Sequence, residues 1–238
     1  MRTRFLVAGA IIAVLSIGAV VATFALSSHT NLDTTYTPMA SGTIATAKPS
    51  MNSAVVSSMK LSLESPAVAV PIDVVIPAIG VKSPLQAVGM TSAHAMAAPE
   101  GGAGSSDWSN TFWYRGSAIP GAVGTATIAG HIDDRFGDYA VFGRLSSLVP
   151  GNRIYIRNTR SGVSEEFIVT TTHDYTIAQA ATRPVLDLIY GTGPPVGQPA
   201  QPSSDGLAHL SLVTCAGTWM PSLDTHNERL VVSAVRIR

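Results

Sequence analysis

The sequence predicts a mainly β domain, a closed barrel or sandwich of about eight short strands, behind an apolar N-terminal segment. Three observations predict it. Gly (21) and Pro (15) are plentiful among the 238 residues, as are Thr, Ser and Val, whereas helix formers are scarce. Short β-branched runs separated by turn signals recur from residue 68 to the end. Residues 5–26 carry no charge at all.

The N-terminal run is long enough as a helix to cross a hydrocarbon core of roughly 30 Å. Arg2 and Arg4 precede it and the next basic residue is Lys48, so the N-terminus is expected in the cytoplasm and the rest outside. An uncleaved anchor is expected over a cleaved signal peptide, although Ala25-Leu26-Ser27 would serve as a small-residue cleavage site. The expected organisation is a cytoplasmic stub and anchor over residues 1–26, a Ser/Thr/Ala/Pro-rich linker over 27–67 and one folded domain over 68–238. Fifteen basic and fifteen acidic residues cancel, so no net field favours nucleic acid.

Within the domain, residues 70–76 and 79–85 read as a strand pair punctuated by Pro71, Pro77, Gly80 and Pro84. Residues 98–110 read as a loop. Residues 125–129 form a compact strand that ends at Gly130-His131. Residues 153–157 and 166–172 alternate well around a turn at Ser161-Gly162. A Pro- and Gly-rich loop over 191–206 precedes a strand over 207–215, and residues 229–237 close the chain.

One cysteine in an exported domain cannot form an internal disulfide. Alternation on the 207–215 strand puts Ala208, Leu210 and Leu212 on one face and His209, Ser211, Val213 and Cys215 on the other. The Leu face is the natural core face, so Cys215 points away from it, where an inert core thiol would not be. A reactive thiol needs a proton partner. Of six histidines, His29 falls in the linker and His94 and His173 in or beside loops. His209 shares the cysteine's face but lies roughly 20 Å along the strand. His131 and His226 remain as candidates. An oxyanion would need a fixed donor, and Arg229, at the start of the last strand, would sit beside Cys215 if the two strands pair antiparallel.

Motifs around these residues resemble those of the sortases. Ser211-Leu212-Val213-Thr214-Cys215 is similar to their Thr-Leu-x-Thr-Cys signature, with Ser in the first place. The stretch TATIAGH ending at His131 resembles the strand that delivers the family histidine, and ERLVVSA, beginning at Glu228, resembles the final strand with its arginine. Residues 72–81, Pro120-Gly121 and residues 142–156 match further pieces in order, so the resemblance covers about residues 70–238. Among sortases the chain looks most like the short, N-terminally anchored class F or class E forms of actinobacteria and other Gram-positive bacteria.

The resemblance implies an eight-stranded β-barrel with one or two short helices and a two-step transpeptidation. Cys215 would be the nucleophile on an LPXTG-like sorting signal, His131 the general acid and base, and Arg229 the oxyanion and substrate-positioning group. Thr214, Val213 and Gly130 are the expected substrate contacts. Partners would be secreted proteins bearing such signals and an amine acceptor, a lipid-linked peptidoglycan precursor or a pilin lysine. No cofactor and no metal is expected; His131, Asp133 and Asp134 read as a polar turn. The alternatives are a catalytically inactive, surface-displayed barrel acting as a binding module, another exported cysteine peptidase, or a zinc site on Cys215, His131 and His226. Thr214 before the cysteine departs from the His-Gly-Cys element of L,D-transpeptidases, and the zinc set lacks paired ligand spacing.

Overall fold

Alternation in the first strand shows how the barrel is built. In β1 (Val68–Ile76), Val70, Ile72, Val74 and Ile76 all point inward and are buried, while the residues between them are only partly covered or exposed. Pro71 cannot donate to a ladder, and the pairing with β2 (Val81–Val88) shifts register between Ala69 and Asp73, around that proline. Gly80, at φ 70°, turns the chain between the two strands.

This computed structural model describes residues 50–91, 95–192 and 201–237. The expected anchor at 5–26, most of the expected linker, His29, His94 and the middle of the 191–206 loop lie outside them. Among the described residues no helix is long and apolar enough to cross a membrane.

The remaining strands are β3 (Thr111–Tyr114), β4 (Gly124–Ala129), β5 (Arg153–Asn158), β6 (Ser164–Thr176), β7 (Ala208–Met220) and β8 (Thr225–Arg236). They close into one barrel in the order β1-β2-β3-β4-β7-β8-β6-β5, as the eight-stranded expectation required. Two neighbouring pairs are parallel, β2 with β3 and β4 with β7; the rest are antiparallel. Ile72, Leu85, Ile128, Phe142, Ile154, Phe167 and Leu212 fill the interior. Each such burial contributes about 1.5–3 kcal/mol.

Among the described residues three short α-helices lie outside the barrel: α1 (Met51–Ser58), α2 (Ile177–Ala180) and α3 (Arg183–Tyr190). Val185, Leu186 and Ile189 of α3 are buried against the outer faces of β4, β7 and β8. Thr127 Oγ1 donates to the Ile189 carbonyl at 2.8 Å and fixes the helix against β4. This helix covers the odd-numbered face of β7.

Packed structure also begins upstream of Val68. Ser50 caps α1 and bonds Glu165, and Asn52 bonds the Pro120 carbonyl at 3.2 Å. The segment after α1 is tied to the barrel by one side chain, by the Met90 N–H donating to the Leu63 carbonyl at 3.2 Å and by apolar packing of Leu61 and Leu63. Arg115 donates to the carbonyls of Ala87 at 2.8 Å and Ser65 at 2.9 Å, and also to those of Ser62 and Pro66. Replacing Arg115 by alanine removes those donors at once, and the expected loss is about 1.5–3 kcal/mol. The thermal midpoint should then fall by several degrees and proteolysis within residues 59–67 should rise. An unchanged midpoint would show that the segment is held by its apolar contacts instead.

Candidate active site

Cys215 is flanked by His131 and Arg229 where β4, β7 and β8 run side by side. In the parallel β4–β7 pair Ala129 stands beside Val213, and the Gly130 N–H donates to the Val213 carbonyl at 3.2 Å. Two residues beyond each of those partners lie His131 and Cys215, so the register brings them to the same level. A Cβ on Gly130 would fall 2.6 Å from the Phe142 ring, so glycine lets the chain turn closely past that ring into His131. In the antiparallel β7–β8 pair Cys215 stands directly opposite Arg229. The sequence places Cys215 at the end of its strand and Arg229 at the start of the next. Instead the hairpin continues past both, to Met220 and from Thr225, with a bulge between Ala216 and Trp219.

His131 is buried between two aromatic rings, Trp108 at 4.9 Å and Phe112 at 5.5 Å between centroids. Its Nε2 lies 3.0 Å from the Pro99 carbonyl. A carbonyl only accepts, so Nε2 carries the proton in this contact and Nδ1 is the free base of the neutral ring. Burial lowers the ring's pKa below its ordinary 6.5, against the pull of Pro99, Asp107 and Asp133. Trp108, Phe112 and Pro99 were not singled out in the sequence. The Trp and Phe flanking Ser-Asn-Thr after a Gly-rich loop are the only local sign of such a pocket.

Arg229 is also buried, and it is tethered at several points. Its Nη1 donates to the carbonyls of His226 at 2.9 Å and Glu228 at 2.7 Å, and its Nη2 to Thr225 Oγ1 at 2.9 Å. Cys215 is half-buried. Burial pushes its thiol above the ordinary 9.0; the Arg229 charge and a hydrogen bond with the Thr225 side chain pull it back, while Asp133 and Glu100 push it further up. At neutral pH the thiol and the imidazole are therefore both mainly uncharged.

His226, the second histidine candidate, faces Asp133 at 3.4 Å and packs edge-on against Trp219 at 5.3 Å. Asp134 accepts the N–H groups of Phe136 and Asp138 at 2.8 and 3.1 Å, the polar turn expected there. His209 pairs with Asp205 at 2.9 Å and His173 packs on Tyr175, both away from the thiol.

Two clefts meet at Cys215. One is an apolar groove beneath α3, lined by Met96, Ala129, Ile189 and Tyr190 and reached by Arg229. Thr214, Val213 and Gly130 line it too; Thr214 lies on the core-facing side of β7, and its hydroxyl is buried without a hydrogen-bond partner. The other is a wider cavity of about 650 Å³ lined by both charged and aromatic residues, among them His131, Asp133, Trp108, Trp219, Thr225 and His226.

A thiol reachable from two sides, with a proton carrier on one and a fixed cation on the other, suits acyl transfer through a cysteine thioester. The chain belongs to the sortase family of cysteine transpeptidases: residues 74–237 match its Sortase domain. Among solved structures it is similar to sortase A from Corynebacterium diphtheriae (18% identity, TM-score 0.47), covering 74% of this chain and 62% of that one. It is also similar to sortase C-1 from Actinomyces oris (17%, TM-score 0.45), covering 70% and 73% of the two chains. For the pilus-related sortase C of Group B Streptococcus the values are 20% and 0.46, with 74% and 70% covered. This chain thus spans less than two thirds of the Corynebacterium protein. No curated protein matches it in sequence.

Alkylation of Cys215 by iodoacetamide should rise with pH through a midpoint above 9.0, because burial disfavours the thiolate. Arg229→Met removes the nearby positive charge and should move that midpoint higher still. A midpoint indifferent to this substitution would mean that the guanidinium is not coupled to the sulfur.

Proposed function

We propose that this chain is a membrane-tethered, extracytoplasmic transpeptidase that cleaves an LPXTG-like sorting signal and passes the protein to an amine acceptor. Support for the tether comes from the uncharged run at 5–26 behind Arg2 and Arg4. Support for the chemistry comes from one observation above the others: Cys215 lines both clefts, with Arg229 reaching the first and His131 lining the second. The donor peptide lies in the apolar groove and the acceptor approaches through the wider cavity.

In the first half-reaction the Cys215 sulfur, as thiolate, attacks the carbonyl carbon of the Thr–Gly bond. The carbonyl electrons move to oxygen, and Arg229 stabilises the resulting oxyanion. Collapse breaks the C–N bond, His131 in its imidazolium form gives its proton to the leaving amine, and a thioester remains on Cys215. In the second half-reaction the acceptor amine attacks that thioester, His131 takes the amine proton, and collapse expels the thiolate and leaves a new amide. Thr214, Val213 and Gly130 contact the donor peptide along the groove. The acceptor is a lipid-linked peptidoglycan precursor or a pilin lysine, and the site of action is the outer face of the cell membrane.

Incubation with an LPXTG-type peptide and a small amine, followed by mass spectrometry, tests this directly. Wild-type protein should form a thioacyl adduct at Cys215 and release the transpeptidation product, and Cys215→Ala should form neither. Product from the alanine variant would overturn the thiol mechanism.

The pH profile follows from the two opposed shifts. The active form holds one proton between sulfur and imidazole, so it is lost when His131 gains a second proton and when Cys215 loses the last one. With the imidazole lowered and the thiol raised, kcat/KM should be bell-shaped, with an acid limb below 6.5 and an alkaline limb above 9.0. A narrow optimum lying inside those two values would contradict the burial of the pair.

A further inference from the structure

Thr225 opens β8 at the far end of the hairpin, and it is 6% exposed. Four residues of extended strand span roughly 13 Å, so Thr225 and Arg229 would not meet along a flat ladder. They do meet here: Arg229 runs back along its own strand, and its Nη2 reaches Thr225 Oγ1 at 2.9 Å. The bulge between Ala216 and Trp219 adds twist at this end of the hairpin. Thr225 thereby shares a cavity lining with Cys215, which itself stands directly opposite Arg229 in the hairpin.

The direction of the contact between Arg229 and Thr225 follows from the two groups. A guanidinium has N–H donors and no acceptor, so Thr225 Oγ1 must accept from Arg229. The hydroxyl's single proton is then available to the sulfur, which can accept it. Meanwhile the carbonyls of His226 and Glu228 hold Nη1 at 2.9 and 2.7 Å, so the guanidinium does not swing away from the hydroxyl.

We propose that Thr225 bridges Arg229 to Cys215, its hydroxyl accepting from the guanidinium and donating to the sulfur as the thiolate forms. This rests on Cys215 being the nucleophile. No proton crosses the bridge: Thr225 keeps its own, the thiol proton goes to His131, and the hydroxyl only stabilises the charge left on sulfur. The hydroxyl also orients the guanidinium before the acyl group arrives, so Arg229 meets the developing oxyanion without first having to be ordered.

The test compares Thr225→Val, which keeps the shape and removes the hydroxyl, with Thr225→Ser, which keeps the hydroxyl, in the full chain. Iodoacetamide alkylation of Cys215, followed by mass spectrometry across pH, needs no sorting signal. Thr225→Val should slow alkylation about tenfold at a fixed pH below the midpoint and raise the midpoint, as loss of a hydrogen bond to a charged group requires. Thr225→Ser should stay within about twofold of wild type. In transpeptidation the Val variant should lower kcat with little change in KM, since the hydroxyl acts on sulfur and not on the bound peptide. Should the Val variant not fold, Thr225→Ala lacks the same hydroxyl and is read in the same way. A hydroxyl-free variant with the wild-type alkylation profile, or a Ser variant as impaired as Val, overturns the bridge. Turnover by Cys215→Ala would instead overturn the nucleophile assignment, which is a separate outcome.

Discussion

The register of β7 against its two neighbours is the constraint on which the site depends. Parallel pairing sets Ala129 beside Val213, and antiparallel pairing sets Arg229 opposite Cys215. One strand thus places the thiol level with the histidine on one side and opposite the arginine on the other. A slip of a single residue would turn Cys215 to the core face and exchange it for Thr214 or Ala216. Leu210 and Leu212, both buried in the barrel, oppose such a slip, because it would carry them outward. The core therefore stabilises the fold and aligns the site with the same residues.

Burial of the site has an electrostatic cost. The aromatic walls of Trp108 and Phe112 exclude water from His131, and the barrel rim does the same for Cys215, so both groups resist ionising. What the surroundings supply in return is directional. Pro99 fixes the proton on Nε2 of the ring, while Arg229 and Thr225 favour negative charge on the sulfur. Ionisation is thus unfavourable at rest and is compensated by groups already aimed at where the charge will appear. Asp133 acts on both partners with consistent sign, favouring the imidazolium and disfavouring the thiolate.

Most of the barrel was legible because its strands alternate. β1, β5 and the first half of β6 carry the period of two that a sheet with one covered face requires; Cys215 and Arg229 sit in strands read from such patterns, and His131 lies two residues past the end of another. β3 was missed: Thr111, Phe112, Trp113 and Tyr114 are all buried, so no alternation marks them. The hairpin beyond Cys215 was missed too, since Ala216-Gly217 reads as a break, whereas Gly217 at φ 76° sits at a bulge. The packed stretch upstream of Val68 relies on Ser50, Asn52 and Arg115, whose polar bonds to distant carbonyls leave no periodic trace. The same holds at the site. Pro99 acts through its carbonyl and Thr225 through a curled hairpin, and neither relation is encoded in a residue type or a spacing.

The tethering of Arg229 also explains why that position calls for a guanidinium rather than any cation. Three contacts converge on it from residues 225–228, two through carbonyls to one nitrogen and one through a hydroxyl to the other. A planar fork can meet all three while Nε and the remaining Nη2 hydrogen stay available to the groove. A lysine ammonium presents its donors from a single nitrogen, so reaching both carbonyls and the Thr225 hydroxyl would use all three and leave none for an oxyanion. It would also have to sit at one point between acceptors that the guanidinium reaches with two nitrogens. The start of β8 therefore holds the charge rigidly yet leaves part of its donor set unused, and the oxyanion of the proposed reaction would take up that remainder.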